Sequence, residues 1–399
     1  MEKNSTLISI QAAQELVLKY SSVTSVIVEM NLCNALDYVL AIDVISEIDM
    51  PPFRQAAMDG YAFSISSAIT YTVVAEIKAG DNANPILKEG EAVRIFTGAP
   101  VPTTANAVIM QEKVAIQGHK MTVQMPLVVE MNIRPKGSQI KRGAMALAKG
   151  TKIKGAHIGF LASIGITKVS VYAKPSIAIV VTGNELKAAG TPLEYGEIYE
   201  SNGTMLSAVL QELGYLKTSI ITVADDYDQT KTTLKEAIQV HDIVLVTGGV
   251  SVGDYDFVGK ALKAIGVEEI FYKVKQKPGK PLFFGKMGSV SIFGLPGNPA
   301  AALSCFYIYV YPLLKKGEGA TNTQLLSIFM PITSDYDVKG DRAQFLKAQI
   351  EEDGVQILEG QSSAFAGSFG AANALVFIPE HTPKIKKGER VKTILLPIK

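Results

Sequence analysis

The chain has only two cysteines in 399 residues, Cys33 and Cys305, and neither belongs to a CxxC pair or a Cys/His cluster. A disulfide framework is excluded, and both cysteines read as buried free thiols. An excess of one charge is missing as well: Lys+Arg 39 against Asp+Glu 38 leaves a net charge of +1. Without a global field to attract nucleic acid or an acidic membrane, any anion site must be built locally. No apolar run is long enough to cross a bilayer, and residues 1–20 lack the basic start and apolar stretch of a secretory signal. These absences predict a soluble, cytoplasmic protein with no nucleic-acid or membrane partner. GxSxG, HExxH and GxxxxGK[ST] are absent too, and His119, His157, His241 and His381 show no metal-ligand spacing. Serine hydrolase, zincin and P-loop kinase chemistry therefore have no support, and the histidines read as structural or surface residues.

What remains is ordinary globular material, 47% hydrophobic and 19% charged. Its length implies about two to four domains. Residues 10–19 have the spacing of an amphipathic helix, and 25–44 are apolar but irregular. Over 49–143, short β-branched stretches such as 71–77 and 107–110 alternate with Gly, Pro and Asn turns, which predicts a small β domain. Residues 144–172 carry helical spacing at 156–164 and a strand-like close at 168–172. If the β region is an insertion, this segment pairs back with residues before Asp49.

From Ser176 the pattern alternates strand and helix. Strands are expected at 177–181, 217–223, 242–247, 270–275 and 290–293, and helices at 204–213, 230–239, 257–265 and 299–314. This is the signature of an α/β domain with a mostly parallel sheet buried on both faces. Beyond the Lys315-Lys316-Gly317-Glu318-Gly319 break, short strands at 344–350, 375–378 and 391–396 predict a second small β domain.

Candidate chemistry gathers where the predicted strands end. Thr182-Gly183-Asn184-Glu185-Leu186 puts a carboxylate at the carboxyl end of a strand, the edge at which open α/β sheets bind ligands. Gly248-Gly249-Val250-Ser251-Val252-Gly253 follows another strand and leads through Asp254 and Asp256 into a helix. Paired glycines and a helix amino terminus suit a phosphate, and Asp256 beside them suits Mg²⁺; a structural turn and a helix-capping acid are the plain alternatives. Lys277-Pro278-Gly279-Lys280-Pro281, with Lys275 just before it, presents ammonium groups on a stiff turn suited to an oxyanion, with a solvated lysine turn as the alternative. In Leu295-Pro296-Gly297-Asn298-Pro299, Asn298 fits a helix cap and Pro299 a first helical turn. Pro51-Pro52-Phe53, Met58-Asp59-Gly60-Tyr61-Ala62 and Thr97-Gly98-Ala99 read locally as turns. Arg134 and Arg142 form a basic loop, either at a phosphate or in solvent.

Taken in order, these motifs resemble the MoeA family, which includes the E domain of gephyrin, over nearly the whole chain. The resemblance implies a multidomain α/β plus β fold in four parts. These are an elongated dimerisation domain from 1–48 and 144–174, an inserted β domain at 49–143, a molybdopterin-binding α/β domain at 175–316 and a C-terminal β domain at 317–399. It also implies a homodimer, and an activity in which molybdate is inserted into adenylylated molybdopterin with Mg²⁺, giving molybdenum cofactor and AMP. Transient contact with the adenylyltransferase of the preceding step fits that scheme.

Carried over by position, Asp59, Thr97, Glu185, Asp226 and Asp256 resemble the family's functional residues, with Glu185 and Asp256 as metal ligands. Gly248, Gly249, Ser251, Lys277, Lys280, Pro296 and Pro299 match its substrate and phosphate contacts. Lys277, Lys280 and Arg342, with one of Ser362, Ser363 or Ser368, match its molybdate contacts. Three positions depart from the family pattern: Asn184 stands where an aspartate is common, Gln139 where an acid is common and Ala301 where a serine is frequent. Two other activities fit the same motifs less fully, namely adenylylation of molybdopterin and a gephyrin-like scaffold role.

Overall fold

The computed structural model describes residues 7–249 and 257–397. The chain divides into two compact units, one formed by residues 1–28, 37–39 and 172–399, the other by 29–36 and 40–171.

The first unit is organised by a six-stranded sheet. Its strands are β1 (Ile177–Thr182), β2 (Thr218–Val223), β3 (Ile243–Thr247), β4 (Glu268–Tyr272), β5 (Phe283–Met287) and β6 (Val290–Leu295), in the spatial order β2-β1-β3-β6-β5-β4. The first four of that order are parallel, and β5 and β4 are antiparallel additions. Strand β5 is not expected from the sequence pattern, and β4 begins and ends earlier than the 270–275 expected. Met287-Gly288 turns the chain straight back onto β6, so β5 and β6 form a hairpin rather than a crossover.

Alternation along β1 shows why the sheet is buried on both sides. Ile177, Ile179 and Val181 enter a core with the helix α1 (Ile10–Tyr20), α2 (Asn202–Glu212) and the helical stretch 299–317, while Ala178 and Val180 enter another with α3 (Tyr227–Val240) and α4 (Phe257–Ala264). Each fully buried Val or Ile contributes roughly 1.5–3 kcal/mol. α1 starts at Ser9, whose hydroxyl accepts the Ala12 N–H at 3.1 Å, and buries Ala13 and Val17 one turn apart. The helix expected at 299–314 is α5 (Pro299–Cys305) and α6 (Tyr311–Gly317) joined by a π turn, Phe306–Val310. Pro312 has no N–H to donate to the preceding turn, and the winding widens just before it.

A second sheet in the same unit contains Ala343–Glu351, Ala374–Ile378, Arg390–Leu395 and Ser327–Pro331, with Gly354–Ile357 against the first of these. Its far edge is Gln276–Lys277, which runs parallel to Ala343–Gln344. The lysine turn is thereby stitched into the C-terminal sheet.

The second unit has its own six-stranded sheet, in the order Ala107–Met110, Gly60–Phe63, Glu91–Ile95, Thr70–Ile77, Lys120–Val123, Val114–Gln117. Gly60 is required there, because a Cβ at this position would lie 1.7 Å from the carbonyl oxygen of Ile109. In the flanking segments Met145–Leu147 pairs with Val44–Ile45, and the Leu32 N–H donates to Thr167 O at 2.8 Å. Cys33 corrects the sequence reading. The single turn Leu32–Asn34 buries Leu32 and Ala35 and so turns Cys33 into solvent, whereas Cys305 is fully buried as expected.

Candidate functional site

In the sheet order, β2 lies on one side of β1 and β3 and β6 on the other, so the connection direction reverses between β1 and β3. That is where an open α/β sheet leaves a crevice beyond its strand ends. A cleft of about 1550 Å³ opens there, bounded on the other side by the C-terminal sheet and its loops.

The glycine pair is held there by steric necessity. Gly248 has φ +86°, and a Cβ on it would lie 2.2 Å from the carbonyl oxygen of Thr182; one on Gly249 would lie 2.8 Å from Val258 Cγ2. The ends of β1 and β3 therefore approach more closely than any side chain permits, and Gly248, Gly249 and Glu185 all line the cleft. Ser251 and Asp256 lie outside the described residues. The loop bearing Glu185 is fixed by a reciprocal pair: the Asn184 N–H donates to Asp225 Oδ2 at 3.1 Å, and the Asp225 N–H to Asn184 Oδ1 at 3.0 Å. Asn184 makes this link with a neutral amide, where an aspartate would face Asp225 with a second carboxylate.

Asp226 is placed differently from the other nominated acids. Its carboxylate accepts the Gln229 N–H at 2.8 Å as the N-cap of α3, and it is not among the residues lining the cleft. The amino terminus of α2 is likewise occupied from within, since Glu200 accepts the Gly203 N–H at 2.6 Å. Asn202 draws the Pro296–Pro299 loop inward, donating to Gly297 O at 2.7 Å, and both prolines line the cleft. Asn298 does not cap its helix as expected. Its amide crosses the cleft and donates to Ser363 Oγ at 2.9 Å, and the Ala300 N–H donates to Ser363 O at 3.0 Å.

The cations come together through Gln276, a fully buried residue that the sequence does not single out. Its Nε2 donates to Pro278 O and Gly279 O at 3.1 and 3.2 Å, its Oε1 accepts the Tyr309 hydroxyl, and its backbone carbonyl accepts Arg342 Nη1 at 3.0 Å. Gly279 has φ +81°, and a Cβ there would fall 2.4 Å from Cys305 Sγ. That thiol is pushed up to about 12 by burial and stays protonated. Lys277, Lys280 and Arg342 therefore share one wall. Lys277 donates to Lys339 O at 3.4 Å, while Lys275 is drawn aside to Glu380 at 2.5 Å, which raises its pKa.

Of the three candidate serines, Ser362 and Ser363 line the cleft. Ser368 is buried, and its hydroxyl is spent on Gly360 O and Phe365 O at 3.1 and 3.4 Å. Asp59 and Thr97 belong to the second unit and bind each other: the Thr97 N–H and hydroxyl both donate to Asp59 Oδ1, at 2.7 and 2.8 Å. The backbone bond, then the hydroxyl, holds the Asp59 carboxyl below its usual range. Arg134 and Arg142 are exposed in that unit. His157 and His241 are engaged in local hydrogen bonds.

No group of three or more His, Cys, Asp or Glu suited to a metal occurs among the described residues. Mg²⁺ does not need one, because it keeps several waters and takes one or two carboxylates plus substrate phosphates. Glu185 fits that donor set.

Fold and cleft together define a multidomain α/β plus β protein whose sheet-edge cleft is bounded on its other side by the C-terminal sheet. Comparison with known proteins narrows the class. Residues 8–165 match the MoeA N-terminal region (domain I and II), 178–316 a probable molybdopterin binding domain, and 330–396 the MoeA C-terminal region (domain IV). The chain is 32% identical over 407 residues to the molybdopterin molybdenumtransferase of Staphylococcus aureus strain COL, covering 99% of this chain and 97% of that one. A Staphylococcus epidermidis protein of the same name is 31% identical over the same shares. The crystal structure of the molybdopterin biosynthesis MoeA protein from Pyrococcus horikoshii OT3 superposes with a TM-score of 0.84 at 30% identity, covering 98% of this chain and all of that one. The chain belongs to the MoeA family, whose named members here act in molybdopterin biosynthesis. No helix among the described residues is long and apolar enough to cross a membrane.

Proposed function

We propose that this chain is a molybdopterin molybdotransferase, taking adenylylated molybdopterin and molybdate to molybdenum cofactor and AMP. One observation carries the reading. The cleft at the β1/β3 switch point brings the phosphate-type glycine turn and Glu185 together with Lys277, Lys280 and Arg342, in a chain that matches molybdopterin molybdenumtransferases along almost its full length.

In this reading the Gly248-Gly249 turn receives the pyrophosphate, and the lysines and Arg342 take the molybdate with Ser363. Glu185, with Asp256 as its expected partner, would hold Mg²⁺, which would supply charge neutralisation at the phosphates. Rate enhancement comes from positioning and preorganised charge, since no described side chain in the cleft is set up as a covalent nucleophile. The four-part domain division, an elongated homodimer, a cytoplasmic location and transient contact with the adenylyltransferase belong to the same reading.

The test is to incubate the purified protein with adenylylated molybdopterin, Mg²⁺ and molybdate, following AMP release and reconstitution of an apo molybdoenzyme. Molybdate-dependent AMP release is expected, and Glu185→Gln should suppress it with the fold intact. ATP consumption without molybdate would instead assign the preceding adenylylation.

A further inference from the structure

Behind the serine loop that lines the C-terminal side of the cleft lies a buried cation that none of the family motifs includes. Lys347, in the strand Ala343–Glu351, is 4% exposed, and the hydrogen-bond partners of its ammonium among the described residues are all backbone carbonyl oxygens. Its Nζ donates to Gly360 O at 2.7 Å, Phe365 O at 3.1 Å and Ser362 O at 3.3 Å. The three ammonium donors are thus used on one short loop, and the Phe369 ring lies 5.7 Å away. Burying an ammonium without a carboxylate is costly and lowers its pKa, so a purely structural role would be met more cheaply by an apolar side chain. Gln361 completes the clamp, accepting the Lys347 N–H at 3.1 Å and donating to Lys347 O at 2.8 Å.

Peptide geometry makes this arrangement matter to the cleft. In a trans peptide the C=O of one residue and the N–H of the next point in opposite directions. Turning the Ser362 carbonyl toward Lys347 therefore turns the Ser363 N–H away from it, and that N–H has no hydrogen bond to any described residue. The Ser363 hydroxyl oxygen already accepts from Asn298, which leaves its proton to donate.

We propose that Lys347 is a positioning residue for the oxyanion: by gathering the loop carbonyls to itself, it leaves the Ser362–Ser363 segment presenting donors to molybdate. The inference rests on the transferase reading above and deepens it. Its charge, with no ion pair to a carboxylate among the described residues, also adds to the attraction exerted by Lys277, Lys280 and Arg342.

The test uses the full-length protein and its Lys347→Met, Lys347→Gln and Lys347→Arg variants. Molybdate is titrated at saturating adenylylated molybdopterin while AMP release is followed, and nucleotide affinity is measured separately. Lys347→Met should raise the molybdate concentration for half-maximal release by roughly tenfold or more, with nucleotide affinity within about twofold of wild type. Lys347→Arg should recover most of the difference. An unchanged molybdate dependence, or equal losses in both affinities alongside a lowered Tm, would overturn the proposal. Should Lys347→Met fail to fold, Lys347→Gln, which keeps two N–H donors without the charge, decides by the same comparison. If wild type itself releases no AMP in response to molybdate, the transferase reading fails, and the role of Lys347 is then read from calorimetric titration of sodium molybdate into wild type and variant.

Discussion

Glu185, Gly248 and Pro296 reach the cleft beyond the carboxyl ends of three neighbouring parallel strands, whereas Arg342 reaches it just before the strand Ala343–Glu351 of the other sheet, and Ser362 and Ser363 from a loop that no strand end aims. On the α/β side, position follows from backbone: strands of similar register end together, and glycines allow the turns that follow. On the β side, position follows from buried polar residues: Gln276 holds the lysine turn with its side chain and Arg342 with its backbone carbonyl, and Lys347 holds the serine loop. The same cleft is rigid for different reasons on its two walls, and the walls should fail differently.

The largest effect is expected where the two means of support meet. Gly279→Ala places a Cβ against Cys305 Sγ at a positive φ, beneath the turn that carries Lys277 and Lys280. Denaturant titration should show a loss of about 3 kcal/mol or more, with AMP release falling together with stability. Adding Cys305→Ala should recover part of the loss; no recovery would mean that the strain lies in φ alone and not in the clash.

A smaller effect separates the cleft from its surroundings on the α/β side. Asp226→Ala removes the N-cap of α3 and should cost about 1 kcal/mol in thermal or chemical unfolding, while AMP release at saturating substrates stays close to wild type. The contrast is with Glu185→Gln, for which activity should fall without loss of stability. If Asp226→Ala abolished turnover in a stable protein, the carboxylate would act in the reaction despite its place outside the described cleft.

The smallest effect is in the second unit. Thr97 lowers the Asp59 pKa, so the stability this pair contributes is fully present above the unfolded value and is lost as pH falls through the folded one, below the ordinary 3.8. Carboxyl NMR titration should place the Asp59 midpoint below 3.8 in wild type and shift it upward in Thr97→Ala. An Asp59 midpoint unmoved by that substitution would remove the Thr97 hydroxyl as a cause and leave the shift to the Thr97 N–H, which alanine keeps.

These contrasts follow what could be read before folding. The alternation at 177–181 and 242–247 located the central strands because both faces of a parallel sheet must be apolar, and the glycines after them marked the cleft. Of the hairpin β5–β6 only the second strand was expected, because the turn at Gly288 resembles any loop and does not mark a strand before it. Asn298 satisfied the composition of a helix cap, yet its amide bonds Ser363, a partner 65 residues away that no local rule supplies. Asp226 and its neighbour Asp225 are indistinguishable in sequence, but one caps a helix and the other locks the Glu185 loop.

The sequence by itself therefore determined the strand–helix alternation, the family and the α/β wall of the site, because periodicity and glycine turns act over a few residues. Tertiary structure alone decided which of the candidate serines face the cleft, that Gln276 joins the lysine turn to Arg342, and that a lysine is buried among carbonyls. Hydrogen bonds between distant segments form only once packing has excluded water and fixed both partners, and the order of residues along the chain does not record where that will happen.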